Sequence, residues 1–339
     1  MSTPLPQNRD HIQHLCERLA LGICTARPTP VAGGFHHRMW QLQTDRGHYA
    51  VKQLSPDYDL GRRELIVHCN ATEAIAEAFA SRGIPAIFAR RQGDEYLQLV
   101  DDTGYLVYPW TRATALENSS IRTRHALAVA RIMAAMHAAD LGAPDLVDTP
   151  PDVHSEENIL TLVGCTRALH GELWQELDAR LQRFVDIAGR QRESLALLRR
   201  RTVVSHGDLD HRNVLWDEGE RPVLIDWESA RRVNPTYEIL LEALDWAEVT
   251  SHFDLSRFAS MLSAYRSAGG TLEPGLLEAA FDCVLGDWVN WLMYNVGRSI
   301  DQQDRQLSAL GAEQVRLCLV TVSRLDSMME DLLRTAARQ

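Results

Sequence analysis

The stretch HGDLDHRNVLW, His206 to Trp216, sets an amide five residues after an aspartate, and LIDWES, Leu224 to Ser229, adds a second aspartate beyond an apolar run. Asp208, Asn213 and Asp226 are short polar side chains, suited to holding a small hard object at fixed distance. That object is Mg²⁺ with a phosphate attached, a different metal, or nothing beyond their own backbone. Mg²⁺ takes carboxylate, amide and phosphate oxygens in near-octahedral array. Phosphoryl transfer asks a protein to position the attacking hydroxyl, neutralise the phosphates and hold the metal. In that chemistry Asp208 would orient the hydroxyl and accept its proton, Asn213 and Asp226 would offer oxygens to the metal, and Lys52 would reach the α- and β-phosphates. Each part taken alone reads as a turn, because Asp and Asn in loops commonly bind nearby backbone. His206 reads as a structural hydrogen-bonding residue rather than a base. His36, His37 and His211 have no third partner at zinc-ligand spacing.

The elements that must position these residues change character along the chain. Apolar spacing predicts a helix over 9–21. Alternation and turn signals predict strands over 29–34, 37–44 and 47–54, the last ending Ala50-Val51-Lys52. A helix is predicted over 62–81, closed by Gly83 and Pro85, then strands over 86–91 and 95–100 around Gly93-Asp94. Residues 105–110 read as an edge strand running into a linker, since Pro109 cannot continue a central strand. Downstream, helices are predicted over 120–139, 169–199 (one or two), 237–249, 252–267, 274–298 and 306–337. Short strands at 202–205, 214–216 and 223–226 surround the polar cluster. Trp288, Trp291 and Tyr294 share one side of a helix with Asp287 and Asn290 alongside, as an acceptor pocket or as core. Glu238, Glu242 and Asp245 read as a solvated face.

With 339 residues the chain exceeds the size at which single cores stop growing, so two lobes are expected. The boundary is placed at 107/108: a β-rich lobe over 1–107 and a larger helical lobe over 108–339. A formal charge of −11 argues against a nucleic-acid partner. No run of apolar residues is long enough to span a membrane. The N-terminal residues lack signal-peptide character, and six scattered cysteines without a CxxC pair read as reduced buried thiols. A cytoplasmic protein, monomer or homodimer, is expected.

The pattern His-Gly-Asp-x-x-x-x-Asn over His206–Asn213, with Ile225-Asp226-Trp227-Glu228 after it and Lys52 in a preceding β-lobe, resembles the phosphotransferase family that includes aminoglycoside phosphotransferases and choline kinases. The resemblance implies a protein-kinase-like α+β fold of two lobes, the first β-rich with one main helix. It implies Asp208 as catalytic aspartate, Asn213 and Asp226 as Mg²⁺ ligands, and ATP as phosphoryl donor. It also implies that Gly33, Gly34, Phe35 and His36 cover the phosphates, although a full Gly-x-Gly-x-x-Gly is missing. Lys52 should pair with a helix glutamate, Glu73 or alternatively Glu64. The linker through Tyr108 and Trp110 should bind adenine by its backbone.

The expected function is therefore ATP- and Mg²⁺-dependent phosphorylation of a small-molecule hydroxyl, on a cationic acceptor of the aminoglycoside, choline or amino-alcohol type. The alternative is a non-catalytic nucleotide-binding or regulatory protein that retains the fold; intact Lys52, Asp208, Asn213 and Asp226 oppose it. A protein kinase is disfavoured because Trp227-Glu228 stands in place of Phe-Gly and no Ala-Pro-Glu segment follows.

Overall fold

The computed structural model describes residues 9–31, 37–143, 146, 153–168, 171–301 and 303–339. The chain divides into two compact units, one of Met1–Leu116, Leu141–Val147 and His206–Arg231, the other of Glu117–Asp140, Asp148–Ser205 and Arg232–Gln339.

The first unit is built on a mixed-length antiparallel sheet. β1 (Thr29–Val31), β2 (Arg38–Thr44), β3 (Gly47–Gln53), β4 (Gln98–Val100) and β5 (Thr103–Pro109) take the order β1-β2-β3-β5-β4. Side chains alternate between faces along a strand, and both faces of this sheet are covered. Leu42, Tyr49, Val51 and Val107 pack with Ile12 and Leu15 of α1 (Arg9–Arg18). On the opposite face, Leu54 and Leu106 pack with Cys69 of α2 (Arg63–Ala80). Lys52 follows Val51 and so falls on the α2 face, in register with Met39 of β2 and Leu106 of β5.

Two sequence expectations change here. Residues 105–110 are not a plain edge strand: β5 lies between β3 and β4, and Pro109 is tolerated because β4 pairs only with its first three residues. Residues 86–91 do not form a strand with 95–100. The Leu224 amide donates to Pro85 O (2.8 Å) and the Ile87 amide to Leu224 O (2.9 Å), a parallel bridge that satisfies this backbone elsewhere.

That bridge is one reason His206–Arg231 belongs to the sheet-bearing unit. β8 (Val214–Trp216) and β9 (Pro222–Leu224) form a hairpin, and β6 (Thr114–Ala115) pairs with β8. Trp227, almost fully buried, stacks on Phe79 of α2 with ring centroids 5.5 Å apart.

The second unit is helical, with α3 (Thr123–Ala139), α4 (Glu156–Thr166), α5 (Gly171–Asp178), α6 (Leu181–Leu198), α7 (Pro235–Trp246), α8 (Leu255–Ser267), α9 (Leu277–Ser299) and α10 (Arg305–Ala337), plus the short strand β7 (Val203–Ser205). α9 packs along α10 and α6, and α3 along α8. α4 was absent from the sequence reading; Ser155, whose hydroxyl accepts from the Asn158 amide, and the two glutamates that follow are its start signal. Glu238 and Glu242 are buried rather than solvated, because Glu238 is bound to His137 at 2.6 Å inside the core. Trp291 and Tyr294 are exposed and stacked on each other, so this face of α9 is not core. No helix among the described residues is long and apolar enough to cross a membrane.

Phe79 is wholly buried, so Phe79→Ala should remove about 3–5 kcal/mol by transfer and cavity terms. A clear fall in the melting temperature is expected; an unchanged melt would show that the contact with Trp227 carries little of the unit's stability.

Candidate active site

The hairpin β8–β9 explains why two sequence-distant polar residues meet. Its register puts Val214 opposite Leu224, and the Ile225 amide donates to Asn213 O at 3.0 Å. Asn213 and Asp226 therefore flank the same hairpin end. Before the hairpin, Gly207 turns the chain at φ +81°, and a Cβ there would come 2.3 Å from Ser229 O. The buried His206 ring donates through Nε2 to Ile225 O at 2.9 Å and lies against Trp227.

Inside the loop, the Asn213 side-chain amide donates to Asp208 Oδ2 (2.9 Å) and to Asp208 O (3.0 Å). Asn213 Oδ1 faces no competing donor through these bonds and keeps its lone pairs for another partner. Asp210 ties the loop down by accepting from the Arg212 amide (2.8 Å) and its guanidinium (2.7 Å). Burial pushes the Asp208 carboxyl up to about 6, and repulsion from Asp210 adds to this while Arg212 opposes it.

Lys52 Nζ donates to Asp226 Oδ1 at 2.7 Å and to Glu228 Oε2 at 2.6 Å. Burial by itself would lower the ammonium's pKa, but the two carboxylates more than offset that and raise it. Asp226 sits at φ +65°, a left-handed conformation uncommon for a residue with a side chain. The short turn Trp227–Ser229 then brings Glu228 back beside the same ammonium. The Ser55 amide donates to His37 Nδ1 (3.1 Å), which leaves His37 Nε2 as the donor to Glu228 Oε2 (3.2 Å). His68 Nε2 donates to Glu228 O at 3.0 Å. Although burial pushes the Glu228 carboxyl upward, His37 and Lys52 together bring it down to about 2.

The expected pair between Lys52 and a helix glutamate is not formed. Glu73 is buried on α2, but its carboxylate accepts from Tyr108 Oη (2.6 Å) and the Ala89 amide (2.7 Å). Burial raises it to about 7, against the lowering effect of those two bonds and of Lys52. Glu64 is exposed in the first turn of α2. The carboxylate that sequence reading did not assign to Lys52 is Glu228, whose only signal was its place two residues after Asp226. Tyr108 thus reaches α2 through its hydroxyl, and the Trp110 amide donates to His48 O at 3.0 Å. A cavity of about 350 Å³ lies on the α2 side of Lys52, lined among others by Cys69, Glu73, Leu106, Tyr108 and Glu228. Gly33, Gly34, Phe35 and His36 lie outside the described residues.

The donor set fits Mg²⁺ chemically. Asn213 Oδ1 and the Asp226 carboxylate are hard oxygens on one hairpin end, with Asp226 Oδ1 alone engaged by Lys52.

Residues 27–277 match the Phosphotransferase enzyme family, and the chain belongs to that family. Its fold is the two-lobed, protein-kinase-like α+β fold, shared with solved structures at low identity. Spectinomycin phosphotransferase APH(9)-Ia, in complex with ADP and spectinomycin, is 13% identical over 95% of this chain and 100% of its own, with a TM-score of 0.63. Amicoumacin kinase hAmiN, in complex with AMP-PNP, Ca²⁺ and Ami, is 11% identical over 92% and 94%, with a TM-score of 0.62. A choline/ethanolamine kinase family protein from Mesorhizobium loti is 16% identical over 97% and 99%, with a TM-score of 0.60. No curated protein sequence matches the chain.

Gly207→Ala should cost more than about 1 kcal/mol, since the new methyl meets a backbone carbonyl in a conformation that side chains disfavour. Gly83→Ala, also at positive φ but with nothing near the added Cβ, isolates the conformational part of that cost. Equal melting temperatures for the two variants would rule out the clash at Ser229.

Proposed function

We propose that this chain is a small-molecule kinase that moves the γ-phosphoryl group of ATP, with Mg²⁺, to a hydroxyl of a cationic acceptor of the amino-alcohol, choline or aminoglycoside type. One observation carries the reading. The hydrogen bond from Asn213 to Asp208 and the ion pair of Lys52 with Asp226 meet at one hairpin end.

In this reading Asp208 is the catalytic residue. Its carboxylate accepts the proton of the acceptor hydroxyl, and the Asn213 amide fixes which oxygen faces that proton. Asn213 Oδ1 and Asp226 would hold Mg²⁺, which supplies neutralisation of phosphate charge when bound. Lys52 contributes a cation to the α- and β-phosphates, and Glu228 keeps that cation in place and charged while the site is open. The backbone from Tyr108 to Trp110 takes the adenine. Glu73 positions Tyr108 rather than Lys52.

Support for a cationic acceptor is the formal charge of −11, which favours approach of cations. The names of the structural relatives, spectinomycin phosphotransferase, amicoumacin kinase and choline/ethanolamine kinase, point to the same range of acceptors.

The test is Mg²⁺-dependent nucleotide turnover across spectinomycin, other aminoglycosides, choline, ethanolamine, homoserine and thiamine, comparing wild type with Asp208→Asn. Turnover with one acceptor should fall by about 10²–10⁴-fold in the variant. Since burial raises Asp208 above its ordinary range, its effect on folding is favourable at low pH and is lost as pH rises through about 6. The inactive Asp208→Asn chain should therefore be more stable than wild type at pH 8, by on the order of 3 kcal/mol, and show little such gain at pH 4. Turnover by wild type should decline as pH falls through about 6, where the base takes up its proton. Failure to bind ATP with Mg²⁺ in calorimetry would end the kinase reading.

A further inference from the structure

A second reactive feature lies on the other face of the sheet from Lys52. Cys16, in the last turns of α1, is buried at 6% exposure, while Cys24 is exposed. Their sulfurs are 3.7 Å apart, in van der Waals contact, and no other cysteine pair makes such a contact among the described residues. Local backbone bonds hold this approach in place. The Leu21 amide donates to Cys16 O (2.9 Å), which reverses the chain at the end of α1. Cys24 then bridges Thr44 at the end of β2, flanked by bonds from the Thr25 amide to Gln43 O and from the Asp45 amide to Ile23 O, both 3.0 Å. A disulfide needs the sulfurs about 2 Å apart, a short further approach from their 3.7 Å contact.

We propose that Cys16 and Cys24 are a thiol–disulfide pair, a modification site at which a low-molecular-weight disulfide closes a bond between α1 and the strand segment beside β2. The solvent-facing Cys24 reacts first. Its thiolate attacks the small disulfide RSSR, forming Cys24–S–S–R and releasing one RS⁻. The Cys16 thiolate then attacks the Cys24 sulfur, the Cys16–Cys24 bond forms, and the second RS⁻ leaves. The two protons lost by the protein thiols end on the two RS⁻ groups. Two protein thiols are oxidised and one RSSR is reduced to two RSH. Burial pushes the Cys16 thiol up to about 12, with the neighbouring Cys24 adding to it, which is why Cys16 resolves the bond rather than starting it. The bond would pin α1 to the sheet whose core Ile12, Leu15 and Cys16 complete.

Cys165 supplies an internal control, being exposed in α4 and without a thiol neighbour. The full chain is incubated with oxidised glutathione, remaining thiols are alkylated, and the digest is read by mass spectrometry. Cys165 should retain its glutathionyl adduct, whereas Cys24 should lose its own and appear cross-linked to Cys16. In Cys16→Ser the Cys24 adduct should persist as it does on Cys165, and the oxidised wild type should melt several degrees above its reduced form. If the serine variant fails to fold, the comparison of Cys24 with Cys165 within the wild type decides alone. A stable glutathionyl adduct on wild-type Cys24, or a Cys24 disulfide only between two chains, would overturn the proposal.

Discussion

A buried ammonium has to be paired, and the pairing of Lys52 organises the sheet-bearing unit. The strand register fixes the lysine on the α2 face of the sheet, where it is 6% exposed. An unpaired cation there would lose its proton or be expelled toward water. Asp226 and Glu228 answer that need together, and they do so only because the backbone at Asp226 takes a left-handed turn. Trp227, between the two acids, is buried and locks that turn by stacking on Phe79 and lying at a tilt against the His206 ring. One electrostatic requirement thus ties β3, α2 and the end of the β8–β9 hairpin into a single arrangement.

The same arrangement divides the carboxylates by environment. Glu228, pulled down by His37 and Lys52, is held as an anion. Glu73, deeper and bound by a phenol and an amide, is raised toward neutrality. Asp208 lies between these extremes, half-buried, near a like charge and steered by one amide. Groups of one chemical kind thereby take different duties: holding a cation, anchoring Tyr108, and standing ready to take a proton.

Much of this is legible in the amino-acid sequence. The spacing from Asp208 to Asn213, the following apolar triplet and Asp226 sit in a local hairpin, and local geometry follows from local residue types. The helices of the second unit other than α4 were readable for the same reason, their apolar repeats being long. Short-range signals failed where the partner came from far away. Residues 86–91 alternate like a strand, yet their backbone pairs with Leu224. Glu238 and Glu242 look like a wet helix face, yet Glu238 closes on His137 about a hundred residues earlier in the chain. Pro109 ends a strand that is interior at its start and an edge at its finish, a distinction set by the length of β4.

The amino-acid sequence by itself determined the chemistry on offer: a carboxylate, an amide, a second carboxylate and a strand lysine, with the polar and apolar spacing that makes a two-lobed α+β chain. Only the tertiary structure decided which charges meet. The linear reading offers Glu73 and Glu64 of the following helix as partners for Lys52, with nothing in their spacing to rank them, and does not offer Glu228, which lies 176 residues away in the chain. The choice fell to Glu228 because Tyr108 and Ala89, brought in by β5 and by the segment that follows α2, already hold the Glu73 carboxylate. Ion pairing depends on distances of a few ångströms between residues remote in sequence, and those distances exist only once the strands and the hairpin have packed.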